Sequence, residues 1–426
     1  MVGIMLFVSS RSIIKVAEPE IKEDKVINEE KIAVSKYDTI ESSLISLDKI
    51  GGRLIGTDGN KTFAHELKIY LNNNFPEADL FIQPYTISLT DEYTVSVAEG
   101  NNLVSFNNSE SLCKFINKAK LTELVAVTDS LDGLESSVNY IFITEDEKQI
   151  EASKEYENIC LSLMSVDEVY LGQNVVKVNS DIPTIMNINK TTAQELLNLK
   201  GNLELKIEIK NKEIELENVF VVIKGTISND AIVITSHMDT TTSKGSNYSK
   251  GAIDNGSGIS INLDLLRKVY SDGNTSDYDL IFGFVNSEEG FLLKSSSGSM
   301  KLNELMAQKY ENVLNLNLDC LGEKNINVLS YGFDGNINGD IISETIISRE
   351  KGDFILEKAE YYTSDNLNFT NSIYFYNFNY HGENRAIHTE KDEINVTDIK
   401  SLETISNIIH NFLTELIEIK SANLFL

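Results

Sequence analysis

Histidines and carboxylates recur in this sequence where metal ligands could converge. His237-Met-Asp239 closes one apolar run, and Asp254-Asn-Gly-Ser-Gly258 makes a glycine-rich turn. Ser287-Glu288-Glu289 follows a second run, Asp319 a third, and His388-Thr-Glu-Lys-Asp392 lies in a loop beyond a fourth. Two imidazoles with several carboxylates and no thiolate give the mixed N/O ligation that suits zinc. One ligand from each stretch makes five, too many for a single catalytic zinc that keeps an open position. Five fit two ions if one carboxylate bridges them. Consecutive glutamates at a strand end point in different directions, so one of Glu288 and Glu289 can bind metal while the other serves as general base. Asp239, two residues after His237 in extended chain, shares its side and can hold the imidazole from behind.

The elements that must carry these residues are legible from periodicity. Val219 to Lys224, Ala231 to Ser236, Tyr278 to Asn286, Val313 to Leu318 and Ile373 to Phe378 are near-continuous apolar runs, as in strands buried on both faces. Ile259 to Tyr270 and Ile399 to Ile417 carry helical spacing. Alternation of this kind predicts an α/β fold: a three-layer α/β/α sandwich with a mixed, mostly parallel central sheet. Sites in such sheets gather beyond the carboxyl ends of the strands, where these candidates fall.

Upstream, residues 38–75 read as helical with a break at Gly51-Gly52, and Leu80 to Ser88 reads as a strand. From about 95 to 200 the texture changes. Short β-rich runs (Leu124 to Val127, Val138 to Ile143, Ile159 to Met164) are joined by polar clusters, and Lys190 to Leu197 opens as a capped helix. This stretch holds no catalytic cluster and reads as a smaller β-rich α/β domain inserted into the main one. The expected organisation is therefore an N-terminal segment and linker over 1–37, a catalytic domain over 38–94 and 201–426, and an insertion over 95–200.

His237-x-Asp239, Asp254-Asn-Gly-Ser-Gly258, Glu288-Glu289, Asp319 and His388-Thr-x-x-Asp392 resemble, in order and spacing, the co-catalytic di-zinc aminopeptidases. That family also contains glutamate carboxypeptidase II, the transferrin receptor and the glutaminyl cyclases. Gly52-Arg-Leu-Ile-Gly56 ahead of a helix looks like another of its segments, and residues 95–200 look like its protease-associated domain. The resemblance implies two zinc ions bridged by Asp254, with His237 and Asp319 at one and Glu289 and His388 at the other. It also implies Glu288 as general base, a cis peptide between Asp254 and Asn255, and removal of N-terminal residues from peptide substrates. Tyr361 and Tyr362 are candidates for an oxyanion donor. Ser364-Asp365-Asn366 departs from the family's Ser-Asp-His, and Tyr374 stands near its usual Gly-x-Pro, which touches side-chain preference more than hydrolysis.

The remaining candidates are weaker. His65 and His410 fall in helical stretches and read as structural or exposed. His381 lacks the Thr and the Asp that follow His388. A carboxypeptidase or dipeptidase on the same scaffold needs a basic grip on the substrate carboxylate, for which Lys294, Arg385 and Lys391 are the candidates. A non-catalytic binding protein of this fold would be expected to have lost ligands, whereas all five positions here carry metal-binding side chains.

Bulk properties set outer limits. The 426 residues suffice for two or three domains. A formal net charge of −28 disfavours nucleic acid and anionic membranes as partners. Cys113, Cys160 and Cys320 are sparse and odd in number, which argues against a disulfide framework. The apolar run Met1 to Ser10 is too short to span a bilayer and lacks the positive start of a secretory signal. It reads either as a loose terminus or as the tail of a signal or anchor that begins upstream. A secreted or cell-envelope location is the expectation favoured, and residues 15–35 read as a solvated linker.

Overall fold

The computed structural model of the chain describes residues 36–107, 111–115, 120–167, 184–227, 229–241, 249–273, 275–289, 297–347, 354–359, 361–378 and 386–425. It opens with two helices, α1 (Ile40–Ile50) and α2 (Asp58–Asn74). A capping box between Thr39 and Ser42 starts α1, and Gly51, at φ 83°, ends it where the sequence predicts a break. Next come β1 (Asp79–Glu99), β2 (Asn102–Asn107), β3 (Ser111–Phe115), β4 (Lys120–Thr128), β5 (Asn139–Thr144), α3 (Glu147–Ser153), β6 (Ile159–Val166), β7 (Thr184–Asn189) and α4 (Lys190–Asn198). The chain returns through β8 (Leu203–Ile223), then β9 (Asp230–His237), α5 (Gly258–Asp272), β10 (Tyr278–Val285), α6 (Gly298–Lys309) and β11 (Asn312–Leu318). It closes with β12 (Val328–Asp334), α7 (Gly339–Ile347), β13 (Ile355–Lys358), β14 (Ser372–Tyr376), α8 (Ile399–Leu416) and α9 (Ser421–Leu424).

The strands form one mixed sheet in the order β13-β12-β14-β11-β9-β10-β8-β4-β5-β6-β7-β3, with β1 along β8 and β2 along β1. The centre is parallel: β14, β11, β9 and β10 run alike, flanked by antiparallel β12 and β8. Every residue of β10 is buried, which accounts for its apolar run without alternation. On one face, α1, α2, α5 and α8 pack their apolar stripes (Leu44, Leu67, Leu266, Ile409 among them) against Val221, Ile232, Phe282 and Leu316. On the other, Leu302 and Met306 of α6 cover Val222, Val233 and Ile281. The three-layer α/β/α arrangement follows.

β1 and β8 are far longer than the apolar runs predict, 21 residues each. They pair antiparallel from Asp79↔Val222 to Ala98↔Glu204. The stretch Lys206-Ile-Glu-Ile-Lys to Glu213-Ile-Glu-Leu-Glu alternates with period two, the pattern of a ribbon with one wet face, so a search for continuous apolar runs passes over it. The boundary drawn at 94 thus lies inside a strand. On both sides of it, Tyr93, Val95, Val97, Phe106, Ile141, Leu163, Met186, Leu196 and Leu205 form a second hydrophobic cluster.

Among the described residues no helix is long and apolar enough to cross a membrane. The apolar terminus, Ser180 to Pro183, His381, Lys294 and Arg385 lie outside the described residues.

Candidate metal centre

Three parallel strands end on the same edge of the sheet. His237 is the last residue of β9, in register with Val285 at the end of β10. Four residues beyond β10 comes Glu289, and Asp319 directly follows β11. The fourth contribution is the turn Ala252–Ser257 ahead of α5, where Gly256 N–H donates to the Gly251 carbonyl at 2.8 Å. Gly251 sits at φ 61°, and a side chain there would run into the Asp254 carbonyl and the Thr240 methyl. Only glycine fits that position without strain.

These elements bring five side chains into two groups that share one residue. One ligand atom from each of His237, Asp254 and Asp319 lies within 4.8 Å of the others, and the same holds for Asp254, Glu289 and His388. His237 Nε2 lies 3.1 Å from Asp254 Oδ1 and 3.4 Å from Asp319 Oδ1. His388 Nε2 lies 2.9 Å from Asp254 Oδ2 and 3.5 Å from Glu289 Oε2. Among the described residues, the buried atoms His237 Nε2, Asp319 Oδ1 and Glu289 Oε1 have no hydrogen-bond partner. Buried polar atoms without partners are costly, and a set of them aimed into a common space is what a cation would satisfy. The N/O donor set fits divalent metal, zinc included.

Residues 218–413 match the model of peptidase family M28. Solved structures of similar fold include BSAP, a zinc aminopeptidase from Bacillus subtilis, at 18% identity and TM-score 0.66, covering 92% of this chain and 98% of that one. An aminopeptidase from Aneurinibacillus sp. strain AM-1 is similar at 15% identity and TM-score 0.59, with 90% and 95% covered. A peptidase M28 precursor from Shewanella amazonensis SB2B follows at 13% and 0.56, with 94% and 97% covered. No curated protein sequence matches the chain.

Within the matched segment the two consecutive glutamates differ in placement. Glu289 is 7% exposed and belongs to the second group, whereas Glu288 is partly exposed and belongs to neither. Desolvation raises the Glu288 carboxyl well above the ordinary range, against the pull of His237 and with the push of Glu289. A carboxylate of raised basicity beside the ligand groups is suited to proton transfer. Burial acts to raise Asp254 too, yet the two imidazoles hold it well below the usual carboxylate range. His237 shows the converse: burial alone would lower it, but Asp319 and Asp254 push it well above the ordinary value.

Asp239 acts differently from the expectation. His237 Nδ1 is 3.1 Å from the Asp239 main-chain oxygen and 3.7 Å from its carboxylate. The carboxylate instead accepts the N–H groups of Glu288 and Glu289 at 3.1 and 3.0 Å. Asp392 plays the matching part at the Asp254 turn, accepting the N–H of Ile253 at 2.7 Å and of Asp254 at 3.2 Å. Burial raises its carboxyl to about 7. The peptide between Asp254 and Asn255 is cis. Three non-glycine residues with positive φ adjoin or belong to the site: Ser287 at 56°, Cys320 at 51° and His388 at 60°. Such backbone is uncommon and clusters at functional sites.

Of the tyrosines, Tyr362 donates to Asp319 Oδ2 at 3.2 Å, while Tyr361 is 64% exposed. Tyr362 also stacks on Tyr376 at 4.4 Å between ring centres. Asn366 spends its amide locally, donating to the Tyr362 carbonyl and accepting from Ser364 N–H. Lys391 and His65 are exposed, and His410 lies 3.4 Å from Asp272. Cys320 is a free thiol, and burial pushes it up, away from reactivity.

Residue types alone did not reveal the supports of the Glu288 loop. Tyr85 OH donates to the Asn286 carbonyl at 3.0 Å and is 2.9 Å from Ser287 Oγ. The side-chain amides of Asn60 and Asn286 bond to each other at 3.0 and 3.1 Å. Isolated tyrosines and asparagines give no periodic signal, and these partners lie 201 and 226 residues apart along the chain.

Proposed function

We propose that this chain is a two-metal aminopeptidase. The observation that supports it is the sharing of Asp254 between two three-residue ligand groups in an M28 peptidase segment. His237 and Asp319 would hold one ion, Glu289 and His388 the other, and Asp254 would bridge. Zinc is the metal favoured by the donors and by the name of the Bacillus subtilis protein of similar fold. When bound, two such ions supply Lewis acidity and lower the pKa of a water molecule.

The chain's own residues supply the rest. Glu288 accepts a proton from the attacking water and returns it to the leaving amine. Asp239 orients Glu288 through the main-chain N–H it binds. Tyr362, with its hydroxyl on Asp319, is the candidate donor to a substrate oxyanion. A free α-amino group would be drawn to this carboxylate-rich pocket, which favours cleavage of N-terminal residues. Residues 38–94 and 201–426 form the catalytic unit in this reading, and 95–200 an inserted protease-associated-like unit.

The test joins metal analysis to hydrolysis of amino-acid anilides and of matched free-amine and N-acetylated peptides. Two equivalents of divalent metal and cleavage confined to free amines are expected. Preference for acetylated peptides would overturn the aminopeptidase reading.

A further inference from the structure

Among the described residues Arg53 is the largest side chain buried completely, at 0% exposure, and its guanidinium donates to three carbonyl oxygens. Nε donates to Met238 at 2.9 Å, Nη1 to Lys250 at 2.7 Å and Nη2 to Gly251 at 3.1 Å. Met238 stands between His237 and Asp239. Gly251 opens the turn that presents Asp254. One planar cation therefore links the β9 strand end to the Asp254 turn.

Its main chain extends the same linkage. Arg53 N–H donates to Thr240 Oγ1 at 2.7 Å, and its carbonyl accepts from Thr240 N–H at 3.3 Å. That carbonyl also accepts from Asn60 Nδ2 at 3.1 Å, and Asn60 is bonded to Asn286 ahead of Glu288. Burial lowers the guanidinium to about 10 while Asp392 acts in the opposite direction, so it stays charged at neutral pH. A desolvated cation whose hydrogen bonds, among the described residues, go to neutral oxygens is an expensive way to fill a core even with the charges of Asp392, Asp239 and Asp254 acting on it, and an apolar side chain of similar volume would serve stability as well. The fork geometry, with donors fixed in one plane, is what the position uses.

We propose that Arg53 is a positioning residue for the metal ligands, setting the spacing of His237 and Asp254 by clamping the carbonyls of the two segments that carry them. The inference rests on the two-metal reading above.

The experiment compares wild-type protein with Arg53→Lys, both stripped of metal and titrated with cobalt(II) by calorimetry and visible absorption. Wild type should take up two equivalents. Lysine keeps the charge but offers a single donor centre, so Arg53→Lys should bind cobalt about 10–100-fold more weakly, with an altered visible spectrum. Leu196→Ala, in the second hydrophobic cluster, serves as a control that lowers the melting temperature while cobalt affinity stays unchanged. Wild-type affinity and spectrum in Arg53→Lys would overturn the proposal and leave the two-metal reading standing. Wild type that takes up no cobalt would sink the two-metal reading itself. Should Arg53→Lys fail to fold without metal, it is refolded across a cobalt series. Recovery at raised cobalt supports the proposal, and no folding at any concentration assigns Arg53 to general stability and overturns it.

Discussion

The Asp239 carboxylate accepts the main-chain N–H of Glu289 at 3.0 Å through one oxygen, while its other oxygen takes the N–H of Glu288 at 3.1 Å. One buried anion thereby fixes the backbone that separates the proposed metal ligand from the proposed base. Asparagine can accept only through its single carbonyl oxygen. Asp239→Asn should lower kcat about 10–100-fold with the fold intact, as loss of an orienting partner commonly does. Steady-state kinetics with circular dichroism check it, and unchanged kcat would refute the orienting role.

Glu288 lies outside both ligand groups. Glu288→Gln should therefore keep the full metal content while kcat falls by roughly 100- to 10,000-fold, the range of general-base contributions. Metal analysis of the purified variant separates the two effects. Loss of metal together with activity would make Glu288 a ligand instead.

Asp254 is common to both groups, so its loss should be felt at both. Asp254→Asn is expected to retain at most one of two metal equivalents. In the wild type, chelation should abolish hydrolysis and lower the melting temperature, and added zinc should restore both, because a metal that binds only the folded state stabilises it. A chelated enzyme of full activity would contradict this reading.

The antiparallel register of β1 and β8 pairs Leu89 with Lys212. Joining these two positions through a two-residue turn would remove residues 90–211 and leave the cluster of Ile55, Ile87, Ile214 and Leu216 in place. The shortened protein should fold, bind metal at the same stoichiometry and show an altered dependence of kcat/KM on peptide length. Identical length profiles would deny the insertion a part in substrate selection.

His410 carries a pH signature away from the metal centre. Burial and the charge of Lys268 lower its pKa, against Asp272. Its folded pKa is thus below that of the unfolded chain. Its stabilising contribution is present above about pH 6.5 and is lost as pH falls through the lower folded value. His410→Gln should flatten the fall of melting temperature on acidification below that point, read by thermal unfolding across pH 5 to 8. A fall as steep as in wild type would show that His410 contributes nothing to it.

The five proposed ligand positions and the strands ahead of them were legible in the sequence alone, because both signals are local. Apolar runs mark strands buried on two faces, and a histidine or carboxylate directly after such a run stands at the functional edge of the sheet. Residue types left open which glutamate would be the ligand and which carboxylate would be shared, although the family resemblance implied an answer to each. Tertiary structure enclosed Glu289 and left Glu288 partly open, and it brought Asp254 within reach of both imidazoles. The same holds for the clamps. Asp392 reaches Ile253 across 139 residues, and Arg53 reaches Met238 across 185. Hydrogen bonds between such distant segments depend on how the chain packs, and no local period or composition encodes them.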